Sequence, residues 1–331
     1  MAPAFLTLPL ELREMIYEQL FASYMVFHGF GTSFLPSSPM TNRLAILQTC
    51  SQIKNEAWRF LPQNITFHFR GTEAMLETLM SVDQAVVTRI RYVTVKGFPF
   101  PLYAQGRPQY YTSYYFHNAL SLLPGLMLEE LVVEDCYHGF GLVDGWRDVV
   151  TYFDIEGVLK SDAWKTFVYV SPNTEFITSG YDHRKQRLAQ PENWDYMLKD
   201  RDGEESGAEV KMFITPYLKG GAVTNVREEK QETIPWKAIP GHEVVEDWRL
   251  GTPEQELKGE VKIVARRGKK VGVVQKGLKE KRTWKEIKSN PGELRKDDWT
   301  PYYNDMSDAA GWVYGGWGRR MQLANRALSH D

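Results

Sequence analysis

Between residues 65 and 170 the hydrophobic period switches repeatedly between two residues and about 3.6, and this restricts the chain to an α/β architecture more than any other feature. Ile65, Phe67 and Phe69 alternate with Thr66 and His68, as in a half-buried strand. Met75, Leu76 and Leu79 then follow helical spacing over 72–80. The same exchange recurs, with strands expected at 90–95, 128–134 and 164–170 and helices at 116–123 and 146–159. Strands separated by helices predict a parallel sheet with crossover helices. The spacing between strands is irregular, so the order implied is repeat-like rather than strictly periodic.

Ahead of this region lie two shorter amphipathic stretches. Leu8, Leu12, Ile16 and Leu20 recur every four residues, Met15 widens the stripe, and Arg13, Glu14 and Glu18 occupy the other face. Pro9 suits a first helical turn, where its missing N–H costs nothing, and Glu11 suits the positive end of the helix dipole. A second helix is expected from Arg43 to Leu61, ending at Pro62, with Leu44, Leu47, Cys50, Ile53, Ala57 and Leu61 stepping by three or four. The intervening Gly29, Gly31, Pro36 and Pro39 read as loop. Two such helices are too small to fold alone and read as a compact docking module.

The pattern Leu8-Pro9-x-Glu11-x-Arg13-x-x-Ile16-Tyr17 resembles an F-box, and more closely the F-box-like domain that opens many fungal proteins. Leu47-Gln48-Thr49-Cys50-Ser51-Gln52-Ile53-Lys54-Asn55-Glu56-Ala57 resembles that domain's second signature, and residues 64–69 resemble the strand that follows it. The likeness covers about the first 70 residues. It implies an interaction adaptor: the F-box-like helices would dock on the Skp-type adaptor of a cullin–RING (SCF-type) ubiquitin ligase through Leu8, Pro9, Leu12 and Ile16, and the rest of the chain would capture a protein substrate. Residues 122–133, with Leu122, Leu123, Leu126, Leu128 and Leu131, resemble one degenerate leucine-rich repeat, a module that F-box proteins often carry. The expected organisation is therefore an F-box-like helical module at 1–70, a leucine-rich-repeat-like α/β domain at 71–180, and a C-terminal α+β extension at 181–331. A Tyr-rich insertion, 97–103 and then 109–116, suits either partner recognition or a loop folded over the sheet edge.

The C-terminal third carries the charge asymmetry. The whole chain has a formal net charge of −2, yet residues 258–288 are strongly basic. Strand patterns at 260–265 and 271–275 flank Arg266, Arg267, Lys269 and Lys270, which predicts a hairpin with a basic tip. Such a tip serves as a nuclear-import signal, a nucleic-acid patch or a solvated charged face. A nucleic-acid-associated protein acting through 258–288 is thus the alternative functional reading.

Chemistry finds little support. Gly139, Gly141 and Gly145 follow a strand and precede a helix, as a nucleotide-binding loop would, but the spacing is one residue off the fingerprint and Asp144 would repel a pyrophosphate. An enzyme using 139–145 is the weakest alternative. Cys136 and His138 make at most half a zinc site. No catalytic residue, metal or cofactor is expected, and the protein is read as a non-enzyme. Two cysteines exclude a disulfide scaffold, no apolar run approaches the ~20 residues of a membrane span, and the start lacks a secretory pattern. A cytoplasmic or nuclear setting without a membrane partner is the resulting expectation.

Overall fold

The computed structural model describes residues 4–22, 24–28, 43–103, 111–135, 146–171, 192–216, 234–235, 259–277 and 279–291. The N-terminal elements are α1 (Leu10–Phe21), β1 (Met25–His28), α2 (Ser51–Ala57), α3 (Leu61–Asn64) and β2 (Thr66–Phe69). Next come α4 (Thr72–Ser81), α5 (Gln84–Val87), β3 (Tyr92–Lys96), the hairpin β4 (Phe100–Tyr103) and β5 (Tyr111–Tyr114), and α6 (Phe116–Leu120). The chain continues through β6 (Leu128–Glu134), α7 (Trp146–Leu159), β7 (Trp164–Ser171), α8 (Glu192–Asp202), β8 (Glu209–Pro216), β9 (Ile234–Pro235), β10 (Gly259–Arg266) and α9 (Trp284–Ser289).

Eight strands form one mixed sheet in the order β1-β2-β3-β6-β7-β10-β8-β9. The first five are parallel and lie in chain order, each joined to the next across intervening helices. Among the described strands the parallel order never reverses, so the sheet lacks the switch-point crevice where doubly wound folds hold nucleotides. The last three strands add antiparallel. Alternation sets the two faces. Val93, Leu131 and Phe167 lie in one cross-strand row and Val95, Val133 and Tyr169 in another, all in one core with Leu76, Leu79, Phe116 and Ile155. The intervening row, Thr94, Val132 and Val168, belongs to the opposite face.

A second apolar cluster gathers Tyr17, Phe21, Ile53, Ala57, Leu61 and Ile65 beneath α1, and Phe67 touches both clusters. The sheet runs through the boundaries near residues 70 and 180, because β1 and β2 extend it at one edge and β10, β8 and β9 at the other. Gly125 supplies the turn into β6 with φ +79, a conformation that L side chains rarely adopt.

Two local expectations are corrected. The helix expected from Arg43 to Leu61 is broken: a 3-10 turn (Arg43–Gln48) stops before Cys50, whose backbone is extended (φ −160, ψ 163). The Thr49 hydroxyl donates to Ile46 O at 2.7 Å, one of the side-chain bonds that compete with helix continuation. Pro62 then opens α3 rather than closing its predecessor, again where no N–H is required. The hairpin with a basic tip does not form either. β10 pairs with β7 and β8, while residues 271–275 leave the sheet. Asp202 takes hold of Arg267 and the Gly268 N–H and turns the chain at that point. The basic stretch also holds α9, for which no helix was expected: Thr283 and Glu286 form a reciprocal capping box, and Trp284 and Ile287 are buried. The Tyr-rich insertion holds the β4–β5 hairpin, with residues 104–110 outside the described part. No helix among the described residues is long and apolar enough to cross a membrane.

Candidate docking site

α1 packs with Arg13 and two aromatic residues inward, while Glu11 and Glu18 stay exposed. Its buried residues are Arg13, Tyr17 and Phe21, one turn apart along a single line. Leu12, Met15 and Ile16 are 46%, 61% and 41% exposed, with Leu10 and Pro9 also exposed and Leu8 half-buried. Arg13 was expected on the solvent face, and its burial is a correction. A guanidinium enters an interior only when its donors are used. Here Arg13 Nε and Nη2 form a fork with Glu56 of α2 at 2.9 and 2.8 Å, and Nη1 reaches Leu8 O. Tyr17 donates to the same carboxylate at 3.0 Å, and Gln52 adds a fourth bond at 3.0 Å.

These contacts explain the electrostatics. The bonds from Arg13, reinforced by Gln52 and Tyr17, outweigh burial and hold Glu56 at about 2. Burial, then the bond to Glu56, lifts the Tyr17 phenol to about 12. The ring of Tyr17 meets Phe5 edge-on at 5.8 Å, and Phe60 lies 6.2 Å away. With Arg13 and Tyr17 committed to Glu56 of α2, Leu12, Met15 and Ile16 are left on the surface, whereas Leu20 packs half-buried on the second cluster. Trp58, on the 3-10 turn after α2, is a second exposed apolar side chain in this module.

The four sequence-derived docking residues thus fall on one helix and its entry, with Leu12 and Ile16 one turn apart on its outer side. The four basic residues of the expected tip do not stay together. Arg267 is a correction: its side chain is 3% exposed and closes on Asp202, itself 1% exposed, at 2.7 Å, with Trp164 beneath it. Burial pushes Asp202 up, but the bonds from Arg267 and Gly268 outweigh it and leave the carboxyl below its ordinary range. Arg266 reaches Glu209 at 3.0 Å. Lys269 and Lys270 are exposed. The glycine run 139–145 and the Cys136/His138 pair lie outside the described residues.

One buried polar arrangement escaped the sequence reading. Asp154 of α7 is fully buried, and its Oδ1 accepts the His117 backbone N–H at 2.9 Å and lies 3.1 Å from His117 Nδ1. Its Oδ2 has no hydrogen-bond partner among the described residues. Burial raises the Asp154 carboxyl, and His117 opposes the rise. A His–Asp pair orients a base in hydrolytic triads, but the nearby Ser171 hydroxyl donates to Asp135 at 2.7 Å and is committed there. The pair therefore reads as a tie between α6 and α7. Its members stand 37 residues apart, and no local pattern links them. Among the described residues no group of three His, Cys, Asp or Glu side chains is placed to hold a metal ion.

Compared with known proteins, the chain matches no protein family, no curated protein and no solved structure.

Proposed function

We propose that this chain is an F-box-like interaction adaptor that recruits a protein substrate to a cullin–RING (SCF-type) ubiquitin ligase. In this reading α1 and its entry offer Leu8, Pro9, Leu12 and Ile16 to a Skp-type adaptor, and Met15 and Leu10 enlarge the contact. The observation that carries it is the outward apolar stripe of α1, held there because Arg13 and Tyr17 occupy the inner side. An amphipathic helix that presents i, i+3 and i+4 apolar anchors to solvent suits groove binding by a partner. The parallel strands laid down in chain order support the repeat-like part of the reading, in which each added strand widens a platform for a substrate. The protein would perform no bond chemistry itself and would act by raising the local concentration of its target. A cytoplasmic or nuclear location accords with such a role.

The test is co-purification of the full chain with a Skp-type adaptor, alongside Leu12→Asp and Ile16→Asp variants. Loss of binding by at least about tenfold, ~1.4 kcal/mol, is expected for both, with melting temperature retained because the side chains face water. An adaptor that never binds, or that binds both variants equally well, would overturn the assignment.

A further inference from the structure

We propose that the lysines of residues 269–277 and 279–285 form a pre-ordered track for the phosphate backbone of double-stranded nucleic acid, separate from the α1 surface. From Arg266 to Lys288 the chain places ten Lys and Arg against two Glu, within a protein of net charge −2. The fold divides these ten into two groups. Arg266, Arg267, Lys276, Arg282 and Lys288 are occupied by Glu209, Asp202, Asp162, Glu280 and Glu73 respectively. Lys269, Lys270, Lys279, Lys281 and Lys285 are all exposed and carry no ion pair among the described residues. Of the two local acids, Glu280 is paired with Arg282 at 2.7 Å, and Glu286, ionised and held in the Thr283 cap, offsets one of the five, which leaves an excess of four positive charges.

The described backbone that carries these lysines is anchored at several points on either side of residue 278. The Lys269 N–H donates to Ser206 O at 3.1 Å. Gln275 exchanges two backbone bonds with the turn before β6, accepting from Gly125 N–H at 2.8 Å and donating to Leu126 O at 2.9 Å. Val273 is buried, Arg282 Nη1 reaches Asn290 O at 2.9 Å, and Trp284 sits edge-on against Phe100. Five unpaired cations on a fixed backbone lose little freedom when they meet a polyanion.

The side chains also select among polyanions. Among the described residues of the track Val274 is the one exposed large apolar side chain, so the described surface is cationic rather than amphipathic, which favours a soluble polyanion over a bilayer. Trp284, the aromatic residue within 269–285, is buried and cannot stack on unpaired bases. The three nearby arginines, Arg266, Arg267 and Arg282, are each ion-paired, with Glu209, Asp202 and Glu280, and lysine ammoniums act as point charges. These features fit sequence-independent contact with duplex phosphates.

The experiment is fluorescence anisotropy of the full chain with a labelled 20-base-pair DNA duplex between about 50 and 200 mM KCl. Three to five phosphate contacts at about 0.9 each predict a log–log salt slope between about −2.7 and −4.5. Lys269→Gln/Lys270→Gln should flatten the slope by about 1.8, and Leu12→Asp should leave it unchanged. A wild-type slope flatter than about −1, a slope unchanged in the double variant, or stronger binding to phosphatidylserine vesicles or polyglutamate than to the duplex would overturn the proposal.

Discussion

The inverted packing of α1 can be tested by comparing two alanine substitutions on opposite sides of the same helix. Phe21 is fully buried in the cluster that also holds Tyr17, Ile53 and Ile65, so Phe21→Ala removes transfer energy and leaves a cavity. The expected cost is about 3–5 kcal/mol. Leu12 is 46% exposed, so truncation forfeits only about half of the three methylene equivalents lost, with no enclosed cavity. That comes to about 1 kcal/mol, partly offset by the better helix propensity of alanine. In urea, with an m-value of about 2 kcal/mol per M, the midpoints should fall by about 1.5–2.5 M for Phe21→Ala and about 0.5 M or less for Leu12→Ala. A helix buried by its Leu8-Leu12-Ile16 stripe predicts the reverse order. If Leu12→Ala shifts the midpoint as far as Phe21→Ala, the outward face does not exist and the docking assignment falls with it.

Two further outcomes follow from particular contacts. Glu56 titrates at about 2 in the folded protein against the usual 4.5, a depressed value, so its contribution to stability is full above about pH 4.5 and is lost as the pH falls towards 2; Glu56→Gln should flatten that acid limb in melting experiments run from pH 6 to pH 2. Gly157→Ala, in the interior of α7, should lower the melting temperature although the exchange ordinarily favours a helix, because the added methyl would lie 2.3 Å from the His117 ring and drive it from Asp154 at a cost of about 1–3 kcal/mol. Gly272→Ala, where the surrounding space is open, is the matched control and should melt as the wild type or slightly higher.

Much of the architecture was legible because it is written in local periods. Val93 and Val95, or Leu131 and Val133, declare a buried strand face through spacing alone, and β2, β3, β6, β7 and α7 fall where that spacing puts them. β1 and α8 gave no comparable signal. β1 is four residues long, and α8 carries Asp195, Lys199, Asp200, Arg201 and Asp202 in eleven positions, a composition that hides its buried Trp194 and Leu198. The break at Cys50 was equally silent, since apolar steps of three or four persist through a 3-10 turn and a bend.

The candidate surfaces show the same division. The amino-acid order by itself determined that α1 would be a helix with an apolar stripe, that 65–170 would build parallel strands between helices, and that 258–288 would be rich in cations. Only the tertiary structure decided which side of α1 faces inward, because that depends on Glu56, 43 residues away, accepting Arg13 and Tyr17 together. It also decided which cations remain available, since Asp202 removes Arg267 from solvent across 65 residues. Burying a charge is tolerable only when a specific partner arrives, and the arrival of that partner is settled by how distant segments pack rather than by the spacing of their neighbours.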